Sequence, residues 1–403
     1  MLNSAANKAT TAHLKRHNET LLLRAIYATS AISRVDLSRE TSLSRPSVSE
    51  ITHNLIQRGL VLKVGSAPQA NKVSKVGKKP TLLAFNGDAF QIIAIGVDDL
   101  FVVGALLDLR MQVIDQTALP INGALSTDLL QLVFAIIETL RDQATRPLLG
   151  IAVGTPGIID SESGTVFLAS NLGWKDLPLA QIISERFQTP VYVGNDSDII
   201  AIGESRFGLA KHVKDVVVVK IGVGIGVGII SDGHSLRGHT FAAGDIGHTP
   251  FPGLDEICLC GRRGCLETVV SWWSLKRHLQ NFIVNFPDSH LAQTIGQRPI
   301  TPELLADPLF SKDSDTIALI DPVVTYLGYA LLIIVHLLNP AMIILSGSMV
   351  KLGDPFFEQV CDLVRARAFP YMTREFQILA NMQDERSILL GAGALLLEKE
   401  LGL

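Results

Sequence analysis

CLCGRRGCLE, residues 258–267, places three of the chain's four cysteines within eight positions and separates them with two glycines. Clustered thiols in a chain with no secretion signal bind metal more often than they pair as disulfides. A structural zinc needs four nitrogen or sulfur ligands, and Cys258, Cys260 and Cys265 supply three. Gly261 and Gly264 give the backbone the freedom to turn sharply between them. The nearest fourth ligand is His248 in GDIGHTPF (244–251), ten residues before Cys258. A Cys₃His set leaves no open coordination position, so the expected cofactor is a structural Zn2+.

Around this loop the sequence alternates strands and helices. QIIAIGVDD, FVVGALLDL and MQVIDQTALP read as a strand meander, STDLLQLVFAIIETLRDQ as an amphipathic helix, and LLGIAVGT as a buried strand. DVVVVKIGVGIGVGIISDG (215–233) repeats the strand–glycine turn–strand theme, which predicts a duplicated α/β body with a cleft between its halves. YALLIIVHLLNPAMIIL (329–345) is interrupted by His336, Asn339 and Pro340. It reads as a buried helix running into a buried strand rather than a membrane span. MLNSAANKATTAHLKRHNE carries no apolar signal region, so a cytoplasmic location without membrane insertion is expected.

Composition, at 47% hydrophobic and 18% charged residues, excludes a disordered chain. The net charge of −4 conceals a strong asymmetry. Residues 1–80 hold 13 Lys and Arg against 4 acids, or +9, and the remaining 22 basic and 35 acidic residues give −13. A basic head on an acidic body is the footprint of a nucleic-acid-binding module. Apolar spacing predicts a helix over 18–30, with Leu21, Leu22, Ala25 and Ile26 on one stripe. Ser33 opens a short helix, and Ser44 caps a second that carries Pro46 in its first turn and ends at Gly59. Val48, Ile51, Leu55 and Ile56 form the buried face of that second helix, leaving Arg45, Ser47, Ser49, Glu50 and His53 off it. This is a helix-turn-helix whose second helix presents polar side chains to DNA, with Arg45 and Ser47 as base-contact candidates. A basic β-hairpin wing follows, in which Lys72, Lys75, Lys78 and Lys79 are available to phosphates.

Gly-His followed by CxCGxxGCxE resembles the signature of the ROK family of repressors, reading frames and sugar kinases. The resemblance extends through ASNLGW (169–174), VYVGNDSDIIAIGESRFG (191–208), VKIGVGIGVGII (219–230) and LLGAGALLLE (389–398). It implies an N-terminal winged helix-turn-helix over 1–85. A two-lobed, actin-like, ribonuclease-H-type sugar-binding domain follows over 86–403, with its zinc loop at 248–267. It also implies a homodimer or higher oligomer. Carried over by motif, Asn171, Asn195, Asp196 and Glu267 are implied hydroxyl ligands of a sugar or sugar phosphate, and His248 serves both zinc and sugar. Asp245 stands where the family usually has Glu, a carboxylate one methylene shorter.

The resemblance further implies a sugar-responsive repressor acting on operator DNA. Two alternatives accompany it: an active sugar kinase with Asp196 as catalytic base, and a repressor controlled by a regulatory protein partner. Family kinases carry Asp-x-Gly-Gly-Thr in the first hairpin, where backbone amides approach phosphate. Here that stretch is Asp98-Asp99-Leu100-Phe101-Val102, whose side chains and extra charge oppose phosphate and favour the repressor.

Overall fold

Two serine caps set the beginning of the chain. In the computed structural model, which describes residues 11–66, 81–98 and 100–403, helix α1 (Thr11–Ala28) is followed by the short strand β1 (Ile32–Ser33). Ser33 Oγ accepts from the backbone of Asp36 at the start of α2 (Arg34–Thr41), and Ser44 Oγ accepts from Ser47 at the start of α3 (Arg45–Gln57). Each cap satisfies a backbone donor that a helix start leaves orphaned. Antiparallel strands β2 (Val61–Ser66) and β3 (Thr81–Phe85) complete a sheet of order β1-β3-β2. Val48, Thr52 and Leu55 are the buried positions of α3, and Thr52 accepts a hydrogen bond from Arg34 Nε (2.8 Å) that ties it to α2. The first helix starts at Thr11, well before the expected Asn18. Ala12, Leu14, Lys15 and Arg16 in its opening turns favour a helix, but no apolar stripe announces it.

The body is built around two five-stranded sheets of one topology. Strands β4 (Gln91–Val97), β5 (Phe101–Asp108) and β6 (Val113–Pro120) form the expected meander, followed by α4 (Ser126–Gln143) and β7 (Leu148–Thr155). A small sheet of β8 (Ile158–Asp160), β9 (Thr165–Ala169) and β10 (Trp174–Leu177) precedes α5 (Leu179–Phe187), β11 (Val191–Asn195) and α6 (Asp196–Phe207). The first sheet has the order β11-β7-β4-β5-β6, with β7 parallel to both β4 and β11.

The second half repeats the pattern with β12 (Val216–Ile221), β13 (Ile225–Ser231) and β14 (His234–Ser235). A helical insertion follows: α7 (Glu267–Val270), α8 (Trp272–Asn285), α9 (His290–Ile295), α10 (Pro302–Ala306) and α11 (Pro308–Ser311). Then come α12 (Ser314–Leu338), β15 (Met342–Ser346), α13 (Asp354–Arg367), β16 (Gln377–Ala380) and α14 (Asp384–Leu401). Its sheet, β14-β13-β12-β15-β16, matches the first strand for strand, including two parallel pairings after an antiparallel hairpin.

The apolar runs of β4 and β12 are explained by burial on both faces. Ile92 and Ala94 on one side, and Val216 and Val218 on the other, pack against α6 and α14 between the sheets. Ile93 and Ile95 face α4 and α5, and Val217 and Val219 face α12 and α13. The two central helices meet at glycines, since a Cβ on Gly391 would lie 1.9 Å from the Ile199 carbonyl. Helix α12 is only half-buried, contrary to its reading as a core helix, because Tyr329, Ile333 and Leu337 form an outward stripe.

The N-terminal unit packs on the far end of α14. Arg24 Nε donates to the Gly402 carbonyl at 2.5 Å, and Arg110 from the body lies 5.5 Å above Tyr27 and 5.4 Å above Phe85. These contacts sit on one continuous apolar core that includes Leu22, Leu55, Leu396 and Leu397.

Candidate functional site

Between the two sheets lies a cavity of about 400 Å³. Asn171, from the turn after β9, and Asn195 and Asp196, from the β11–α6 junction, line one side. Asp245, His248 and Glu267 line the other, together with the β12–β13 turn. All six residues singled out for a sugar therefore meet in one place although 96 positions separate the first from the last. Asn195 is also structural: its Oδ1 accepts from the backbone of Ser197 (2.9 Å) and Asp198 (3.2 Å), and its Nδ2 donates to the Gly157 carbonyl (2.9 Å). The glycines of GVGIGVG serve packing here, because a Cβ on Gly228 would lie 2.1 Å from the Ser197 carbonyl of α6.

The cysteine loop is folded by short backbone pairings. Phe251 N donates to the Gly264 carbonyl (2.9 Å) and Leu266 N to Thr249 (3.0 Å), which brings the His248 segment beside Cys265. Gly264 has φ +73°, and a Cβ there would lie 2.7 Å from the Leu254 carbonyl. The ligand atoms of His248, Cys258, Cys260 and Cys265 all lie within 4.8 Å of one another. Zinc bonds of about 2.3 Å to sulfur and 2.0 Å to nitrogen imply tetrahedral edges of roughly 3.5–3.8 Å. The structure has Cys260 Sγ to Cys265 Sγ at 3.8 Å and Cys258 Sγ to His248 Nδ1 at 3.6 Å, so the donor set fits a tetrahedral ion. Burial pushes the Cys258 and Cys265 thiols up. Burial also acts on Cys260, but hydrogen bonds from Arg262 outweigh it and bring that thiol down to about 7. A divalent cation is the partner that lets three such thiols ionise together. Glu267, two positions beyond Cys265, accepts from Ile225 N (3.3 Å) and stands 3.6 Å from Cys258 Sγ, which links the loop to the cavity wall.

Two cavity residues have no counterpart in the sequence reading. Lys220 on β12 is buried and places its ammonium 2.7 Å from Asp196 Oδ2 and 3.1 Å from Asp98 Oδ1. It thereby ties the second sheet to two carboxylates of the first half. Asp198, in the first turn of α6, lines the cavity with 8% exposure, and its Oδ1 has no hydrogen-bond partner. Burial, above all, pushes its carboxyl up to about 7; Arg237 opposes that shift and Asp196 adds to it.

The ROK family profile matches residues 92–399. The chain belongs to the ROK family. A xylose repressor of Caldicellulosiruptor bescii is 32% identical over 390 residues, covering 95% of this chain and 96% of that protein. A glucokinase of Halalkalibacterium halodurans is 30% identical over 309 residues, covering 73% of this chain and 92% of its own length. A solved ROK family transcriptional regulator, a homologue of E. coli Mlc, superposes with a TM-score of 0.79 at 26% identity, covering 97% of this chain and all of its own.

Leu100 and Phe101 stand exposed at the tip of the first hairpin, at 63% and 39%, and Asp98 behind them is engaged by Lys220. Asp99 lies outside the described residues. On α3, Arg45, Ser49 and His53 are exposed. Ser47 differs: it is half-buried and its hydroxyl lies 2.9 Å from Ser44 Oγ, within the helix cap. Lys78 and Lys79 fall outside the described residues.

Proposed function

We propose that this ROK protein is a sugar-responsive DNA-binding repressor of carbohydrate-metabolism genes. Residues 1–85 serve as the DNA-binding unit and 86–403 as the sugar-binding body. The observation that carries this reading is that similarity to the xylose repressor spans head and body alike, whereas the glucokinase match covers 73% of the chain. Asn171, Asn195, Asp196, Asp245, His248 and Glu267 supply paired acceptors and donors for vicinal hydroxyls. A zinc on His248, Cys258, Cys260 and Cys265 fixes the loop from which His248 and Glu267 face the cavity. Kinase chemistry is disfavoured because Lys220 already pairs with Asp196, the only base it would use, and with Asp98 at the phosphate-side hairpin.

Coupling between cavity and DNA has a physical route. Helix α14 begins at Asp384, whose carboxyl burial and nearby Asp98 push upward beside the Lys220 cluster. It ends at Gly402, where a Cβ would meet Thr20 of α1 at 2.6 Å. A shift of the cleft halves therefore moves the seat of the head.

The DNA-binding part is tested by selecting a duplex from a random library with the full chain and measuring variants on it. Arg45→Ala is expected to cost about 1–3 kcal/mol on the selected duplex and to relax preference at one base position. Lys78→Ala is expected to weaken all sequences alike and to lower the salt slope by about one. Identical behaviour of the two variants in a binding titration at several salt concentrations would mean that α3 is not the reading helix.

A further inference from the structure

Asp198 is a buried acidic group of the cavity with a carboxylate oxygen that the protein leaves unanswered. Asp196 receives Lys220 and the backbone of Ser197, and Glu267 receives Ile225 N. Asp198 Oδ1 receives nothing, although the residue is more than nine-tenths buried. A buried polar atom without a partner costs roughly 1–3 kcal/mol or more when charged, so its place calls for a compensating contact. Arg237, the cation that acts on Asp198, spends Nη1 on Ser161 Oγ at 2.9 Å. Oδ1 is itself closed off from solvent, and the small part of Asp198 that stays open borders the cavity.

We propose that Asp198 is a specificity-determining residue of the cleft, accepting a hydrogen bond from a donor on the ligand and rejecting a ligand that carries an anionic group there. The proposal rests on the reading of the cleft as a sugar site and adds the chemical class: a neutral polyol, not a sugar phosphate. The charge balance points the same way. Asp196, Asp198, Asp245 and Glu267 all line the cavity; of the two cations among its walls, Lys220 is held by two carboxylates and Arg262 is hydrogen-bonded to Cys260. A phosphate placed among them finds like charge at short range, whereas hydroxyls find acceptors. An Asn at 198 would retain the shape and an acceptor oxygen but lose the charge, so the two effects can be separated.

The test is calorimetric titration of the zinc-loaded full chain with D-xylose, D-glucose, glucose 1-phosphate and glucose 6-phosphate. It compares wild type, Asp198→Asn and Asp198→Ala, with thermal melts confirming that each is folded. The wild type should bind a neutral sugar at least about tenfold more tightly than either phosphate, and Asp198→Ala should weaken that sugar by about tenfold. Asp198→Asn should narrow the neutral-to-phosphate ratio, a change that loss of packing alone would not produce. Unchanged affinity and ratio in both variants, or tighter binding of a phosphate by the wild type, overturns the proposal while leaving a sugar cleft standing. Binding of none of the four compounds by the wild type removes the cleft reading, and the proposal with it.

Discussion

Cys265→Ser is expected to take bound zinc from about one per chain to about zero and to lower the melting temperature by on the order of 10 °C. The thiol is buried at the centre of the loop pairing, 3.8 Å from Cys260 Sγ. Zinc bound to the folded chain contributes its binding free energy to folding, so a lost ligand removes most of that contribution. The Cys258 and Cys260 thiols are then left side by side without the ion, the first of them pushed toward the neutral form by burial. Cys361→Ser provides the control: it lies in α13, outside the cluster, and its metal content should match the wild type. Elemental analysis and a thermal melt on both variants decide the matter. A metal-free Cys265→Ser protein that melts like the wild type would leave the loop without a structural ion.

Lys220→Met should cost about 3–5 kcal/mol in urea denaturation at pH 7, the usual range for removing one partner of a buried ion pair. The loss leaves Asp196 and Asp98 facing each other without their shared cation, with Asp384 close behind. Adding Asp98→Asn to Lys220→Met should recover part of the loss, because one of the stranded charges is then gone. A single variant as stable as the wild type would mean that the ammonium does not hold the two halves together.

What could be read along the chain and what could not separate by the range of the interaction. Ser33, Ser44 and Gly264 announced their turns because each acts on backbone within a few residues. The duplication was visible because the glycine turn between β12 and β13 echoes the first meander. Lys220 could not be found this way: it sits in an apolar strand, and its partners are 24 and 122 positions away. Asp198 was equally silent, being one of two aspartates in NDSD with nothing local to set it apart. Ser47 has a tie that its position beside a buried face does not announce, since its hydroxyl meets Ser44 in the helix cap. The exposed stripe of α12 was missed because hydropathy counts apolar residues without saying which side they face.

The central claim is that occupancy of the cleft changes affinity for DNA. A ligand that binds the two lobe arrangements unequally must shift DNA binding reciprocally, and about 1.4 kcal/mol of coupling gives a tenfold change. The direct measurement is fluorescence anisotropy of the selected duplex titrated with the zinc-loaded chain, with and without saturating D-xylose or D-glucose. It is repeated for Glu267→Gln, whose ligand-free DNA binding should stay near wild type. The account predicts that one of these sugars weakens wild-type binding by about tenfold and weakens Glu267→Gln binding far less. A sugar shown by calorimetry to occupy the cleft, yet leaving the anisotropy curve of the wild type unmoved, would contradict it.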